Sequence, residues 1–147
     1  MGKSASGAHS SPAHALQYVV YKNYAALLEQ EGNWEQALFH FEQAAKIDPT
    51  DVSLWCRIGS VAARAKSWDT SCHAYMAGLQ RADISACRFK CLDGVINALY
   101  EIGDYGSCLK YLKEAFAIDP QYLRGRWIKR QIVGEYLEGQ SFTSFMK

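Results

Sequence analysis

The sequence predicts an all-α fold built from repeated helix–turn–helix units, and three observations predict it. The tripeptide Ile47-Asp48-Pro49 recurs 71 residues later as Ile118-Asp119-Pro120, each copy ending a run of helical pattern. A middle unit appears when the aromatics are aligned, because Trp34, Trp68 and Tyr105 fall at spacings of 34 and 37, a period that marks a stacked repeat. Behind each aromatic the same columns follow: small residues Ala37, Ser71 and Cys108, then bulky Phe41, Tyr75 and Leu112, then small Ala44, Gly78 and Ala115. Ahead of them lie Tyr21, Trp55 and Leu92, then Tyr24, Ile58 and Val95, with small Ala25 and Gly59 one position further in the first two units. Short side chains let antiparallel helices approach closely, and the bulky members fill the volume that remains.

The elements follow in order. A first helix over about 16–30 ends at the Gly32-Asn33 turn, and its partner runs over about 34–46. Pro49 cannot continue a helix, so the second unit starts after it, with helices over about 51–65 and 68–81. The third unit has a longer first helix, about 85–102, because three extra residues enter around 83–88; its second covers about 105–117. A last helix has no partner of its own and reads as a cap. The expected organisation is a mobile Gly/Ser/Ala/His tail over 1–15 and a repeat domain over 16–138, with a frayed tail over 139–147. Within the domain the units span about 18–51, 52–88 and 89–122, and the capping helix 121–137.

Composition narrows the function classes. Sixteen Lys and Arg stand against fifteen Asp and Glu, a formal charge of +1, so no strong general attraction to nucleic-acid backbones or anionic lipid is expected. The 49% apolar content excludes a mainly disordered chain. No run approaches the roughly 20 consecutive apolar residues that span a bilayer. Five cysteines without framework spacing argue against a disulfide-stapled secreted domain. A soluble intracellular protein with no membrane contact is the expectation.

Chemistry-bearing residues are few. Cys87 and Cys91 lie four apart and Cys72 sits beside His73, but no CxxC pair occurs. Zinc would need ligands gathered from several helices, so no metal or other cofactor is expected. Gly2-Lys3-Ser4 lacks the upstream glycine and strand of a phosphate loop. Gly2 with Ser6 fits an N-myristoylation pattern, against which stands a plain flexible leader. His40 and His73 have no nucleophile in register, and Asp48 and Asp119 read as turn residues before proline. No catalytic constellation emerges, and a non-enzyme is expected.

The repeat columns resemble the tetratricopeptide (TPR) family, which implies a right-handed superhelix of three repeats plus the capping helix. In that family the first helices of successive units line a concave face that meets partners. Transferred here, the partner-binding candidates are Lys22, Arg57, Arg64, Lys90, Asn97 and Tyr100, with Lys22, Arg57 and Lys90 forming a basic thread. TPR domains that clamp acidic chaperone C-termini carry Lys then Asn, a second Asn, and Lys then Arg on successive inner helices. This chain offers Lys22 followed by Ala26, Arg57, and Lys90 followed by Gly94, so two of five positions fit. A second, narrower resemblance rests on Tyr21-Lys22-Asn23, Thr50-Asp51-Val52 with Leu54-Trp55, and Ile58-Gly59 with Val61-Ala62 and Arg64. It continues in His73-Ala74 with Gly78-Leu79, Cys91-Leu92-Asp93, Leu99-Tyr100, and Asp104-Tyr105 with Cys108-Leu109. Over about 16–132 the chain resembles the N-terminal TPR region of the cabin family of calcineurin-binding proteins, the TPR subunit of HIR-type histone chaperone complexes. That resemblance implies a nuclear scaffold in replication-independent deposition of H3–H4, with other subunits of the complex as partners. The alternatives are a TPR adaptor for an extended peptide such as a chaperone tail, and a regulatory TPR domain of a larger enzyme.

Overall fold

The computed structural model describes residues 12–82 and 85–146, with side chains placed outside 85–86 and 140–146. Among the described residues seven helices follow one another: α1 Pro12–Gln30, α2 Trp34–Ile47, α3 Val52–Arg64, α4 Trp68–Arg81, α5 Ser85–Ile102, α6 Tyr105–Ile118 and α7 Leu123–Met146. Each consecutive pair α1/α2, α3/α4 and α5/α6 packs as an antiparallel unit, while α3 also meets α5, and α5 meets α7. This is the all-α TPR architecture, three units with a terminal helix.

Two ends differ from the sequence reading. Helix α1 starts at Pro12, inside the segment expected as tail, because proline suits the first helical position, where its missing N–H costs no hydrogen bond. Helix α7 runs 24 residues to Met146, past the expected end at 137. The remainder of the expected N-terminal tail, with Gly2, Lys3, Ser4 and Ser6, lies outside the described residues.

The same backbone device ends the first helix of all three units. At the end of α1, Asn33 N–H donates to Leu28 O and Gly32 N–H to Glu29 O, with Gly32 at φ 78°. Ser67 and Lys66 repeat the pair of bonds onto Ala62 and Ala63, and Asp104 and Gly103 onto Leu99 and Tyr100. These are Schellman caps, whose left-handed residue is best a glycine. Gly103 obeys at φ 92°, but the middle unit places Lys66 there at φ 60°. The left-handed conformation costs a side-chain-bearing residue roughly 1–2 kcal/mol, offset in part by glycine's extra chain entropy. Lys66→Gly should therefore stabilise the chain by about 0.5–1 kcal/mol, read as a melting temperature a few degrees higher.

Between units the repeated Ile-Asp-Pro turn has a physical role. Asp48 Oδ1 accepts from Thr50 N at 3.1 Å and Asp119 Oδ1 from Gln121 N at 3.0 Å. Both Asp N–H groups close the preceding helix, onto Ala44 O and Ala115 O. Asp51 then caps α3 by accepting from Ser53 N and Leu54 N. Its carboxylate also receives the Tyr18 hydroxyl from α1 and lies 3.6 Å from Lys22 Nζ. Burial acts to push the Asp51 carboxyl up, but the bonds from Tyr18, Ser53 and Leu54 and the charge of Lys22 outweigh it and leave it below its usual range. A depressed carboxyl adds stability above its unfolded value that is lost as pH falls through the folded one. Asp51→Asn should thus melt below wild type at pH 7, and the gap should begin to narrow only as melts are taken below about pH 4, closing once pH passes below the lowered folded value.

The core falls into two clusters. One gathers Ala25, Leu28, Ala37, Phe41, Ala44, Leu54, Ile58 and Val61 around α1–α3. The other runs from Cys56 and Tyr75 through Leu92, Val95, Ile96 and Leu112 to Ile128 and Ile132 on α7. The expected small columns sit where helices touch. Ser71, 1% exposed, donates its hydroxyl to Gly59 O at 2.8 Å, and Cys108 in the next unit reaches Ile96 O at 3.5 Å. The Tyr75 ring lies between two glycines: a Cβ at Gly59 would stand 2.5 Å from it, and one at Gly94 2.4 Å. Trp55 is half-buried, its indole N–H donating to Pro49 O at 2.8 Å and its ring under the Arg81 guanidinium.

Candidate functional site

Three inner helices converge on one polar pocket of about 350 Å³. Helix α3 contributes Ser60 and Arg64, α5 contributes Asp93 and Asn97, α7 contributes Arg124, and Tyr75 of α4 also lines it. Gly94 lines it as well, and the absence of a side chain there is what lets the Tyr75 ring sit against α5. Asp93 is held from two sides. Tyr122 donates its hydroxyl to Oδ1 at 2.5 Å, and Arg124 approaches Oδ2 at 3.1 Å. Burial and the neighbouring Asp93 charge push the Tyr122 hydroxyl far up, so it stays a donor. These bonds fix Arg124 by one edge of its guanidinium, while the side chain remains more than half exposed. Arg64 lies over the Trp34 ring at 5.2 Å, which orients it without neutralising its charge. Two guanidinium groups, one spent carboxylate, an amide and a hydroxyl suit a polypeptide backbone and an acidic side chain.

The candidates predicted from sequence separate into groups. Arg64 and Asn97 meet in this pocket. Lys22 is half-buried against Asp51 and lies over the Tyr18 ring at 5.0 Å. Arg57 binds Glu29 through Nε at 3.0 Å and through Nη2 at 2.9 Å. Both cations therefore tie the second unit to α1, and the basic thread is interrupted by carboxylates from the neighbouring unit. Lys90 is exposed on α5. Tyr100 stacks with Tyr105 at 5.8 Å and meets Trp127 edge-on at 5.7 Å, joining α5 to α6 and α7. Sequence reasoning missed Asp93 and Arg124. A signal for Arg124 existed, since the 71-residue offset of the Ile-Asp-Pro copies carries Ser53 of the second inner helix onto Arg124.

A second, apolar groove of about 510 Å³ lies between α6 and α7, lined by Tyr105, Leu109, Ile132, Val133 and Tyr136. Among the described residues, no group of three or more His, Cys, Asp or Glu could hold a metal ion, and no helix is long and apolar enough to cross a membrane.

The fold and its inner-face pocket define a TPR-type protein-interaction domain, a class that is generally non-catalytic. Solved TPR domains superpose on it. The N-terminal domain of stress-induced protein-1 from C. elegans matches with TM-score 0.69 at 15% identity, covering 82% of this chain and 98% of that one. The second TPR domain of human RPAP3, in complex with an HSP70 peptide, matches with TM-score 0.68 at 13% identity, covering 81% and 97%. Within that class the assignment is narrower: the CABIN1 N-terminal domain family matches residues 2–136, and the chain belongs to that family. Calcineurin-binding protein 1 of Arabidopsis thaliana is 26% identical over 127 residues, which is 85% of this chain. The chain spans about 7% of that relative's length.

Proposed function

We propose that this chain is a non-catalytic scaffold that grips an extended, acidic polypeptide segment between α3, α5 and α7, as a module of a HIR-type histone chaperone assembly in the nucleus. The observation that carries the binding mode is the pocket itself, which Arg64 and Arg124 line together with Asn97 and Ser60. Asn97 and Ser60 supply neutral bonds for a peptide backbone, and the arginines supply charge-assisted ones for its carboxylates. Membership in the cabin-like family supports the assembly. Other protein subunits are then the partners, with no direct contact to nucleic acid and none to membrane. A calcineurin partner, suggested by the relative's name, is a proposal of the same standing for any longer protein that contains this domain.

The runner-up is an adaptor for chaperone tails, favoured by the fold shared with the RPAP3 domain seen with an HSP70 peptide. Against it stands Gly94, where the chaperone clamp carries an arginine. Any Cβ at that position would collide with the Tyr75 ring. Affinity capture from nuclear extract with quantitative mass spectrometry separates the two. Histone-chaperone subunits enriched over heat-shock chaperones are the expected result; the reverse enrichment would establish the adaptor instead.

A further inference from the structure

Cys56 on α3 and Cys91 on α5 bring their Sγ atoms within 3.4 Å of each other across neighbouring inner helices. Their exposures are 4% and 0%. The space they share exists because position 78 has no side chain: a Cβ at Gly78 would stand 3.0 Å from Cys91 Sγ and 3.8 Å from Cys56 Sγ. We propose that Cys56 and Cys91 are a modification site, oxidised reversibly by a small peroxide to a disulfide that staples α3 to α5.

A disulfide needs its sulfurs about 2.05 Å apart, so closing the observed 3.4 Å requires an approach of about 1.4 Å. Two of the three other thiols, Cys108 and Cys87, do not compete. Cys108 points its Sγ at Ile96 O. Cys87 is exposed one turn before Cys91, and Cβ atoms four apart on a helix lie about 5–6 Å from each other, beyond a disulfide's span. The hydrogen bond the two thiols share favours loss of one proton from the pair, against burial and with help from the Lys90 ammonium. The sulfur left as thiolate is the one that attacks.

The step balances with one hydrogen peroxide. The thiolate Sγ of the pair attacks one peroxide oxygen; the S–O bond forms, the O–O bond breaks, and the departing hydroxide takes up the proton that the pair released, giving sulfenic acid and water. The second Sγ then attacks the first; the S–S bond forms, the S–O bond breaks, and hydroxide leaves with the second thiol's proton as a second water. Two thiols are oxidised by two electrons and the peroxide is reduced to two waters. The near-complete burial favours this oxidant over bulkier disulfides. The staple would fix the spacing of the two helices that carry Arg64 and Asn97. That consequence rests on the groove reading; the staple itself does not.

The test treats the full chain with stoichiometric hydrogen peroxide, blocks free thiols by alkylation, and maps peptides by mass spectrometry without reduction. The expected result is a Cys56–Cys91 cross-linked peptide, removed by dithiothreitol, and an oxidised chain melting about 5–10 °C above the reduced one. Cys56→Ser and Cys91→Ser should each abolish the melting shift while Cys87 remains alkylatable; mapping of the wild-type chain decides the matter if either variant fails to fold. No cross-link, a cross-link through Cys87, or an oxidised chain that melts below the reduced one would each overturn the proposal.

Discussion

Phe41→Ala should be the most damaging single substitution in the first half of the chain, destabilising it by about 3–5 kcal/mol, the range for removing a fully buried phenylalanine. The ring is 0% exposed and sits among Ala25, Leu28, Leu54 and Ile58, where α1, α2 and α3 meet. The alanines among its neighbours carry only a methyl group, too short to collapse into the hole. The Arg57 guanidinium, now 5.2 Å from the ring centroid, would lose its apolar support. Total stabilities of ordinary domains are about 5–15 kcal/mol, so the variant should show a melting temperature lower by at least about 10 °C. An unchanged melting curve would place Phe41 outside the core. Trp55→Ala should cost less, because Trp55 is only half-buried.

Gly94→Ala should be the largest effect from the smallest change. Alanine is normally favoured over glycine in a helix by about 1 kcal/mol, so an exposed site would gain. Here the added Cβ would meet the Tyr75 ring at 2.4 Å. Overpacking of this kind typically costs about 1–3 kcal/mol, and more where the ring cannot retreat. The ring has little room to retreat toward α3, since it lies so close to Gly59 that a Cβ there too would stand 2.5 Å from it. A net loss of about 2 kcal/mol is expected. In a double-mutant cycle with Tyr75→Leu, the second substitution should recover part of it, because the clash and not the helix is the cause. Additive losses in denaturant melts would contradict this geometry.

The repeat was legible because its columns obey a period that survives without any knowledge of neighbours. Trp34, Trp68 and Tyr105 announce the units, and Ala37, Ser71 and Cys108 mark where each pair of helices touches. Asp48 and Asp119 were legible as turn residues for the same reason, since the proline that follows each fixes the local backbone. Less legible was anything decided by the register between units. Lys22 and Arg57 have the charge and helix face of groove residues, yet Asp51 and Glu29 come from adjacent units to meet them. Gly94 reads from sequence only as a missing arginine; its closeness to Tyr75 depends on how α4 lies against α5. Cys56 and Cys91 are 35 residues apart in the chain and adjacent only once α3 packs on α5. The start of α1 was misplaced because Pro12 reads equally as a breaker in a tail or as the first residue of a helix.

The central claim is that partners bind on the face formed by α3, α5 and α7. The most direct measurement compares capture by wild type, by Arg64→Glu/Arg124→Glu, and by the control Lys46→Glu/Lys113→Glu, whose lysines are exposed on α2 and α6. Arg124 also holds Asp93 and Arg64 lies over the Trp34 ring, so reversing them removes contacts within the fold as well. Capture is therefore compared once all three proteins give the same helical circular dichroism and similar melting temperatures. Like charges placed across an interface repel and slow encounter, most strongly at low salt. The account predicts that the pocket variant loses the nuclear partners retained by wild type and by the control, with the largest difference at low salt. Equal capture by all three would contradict it.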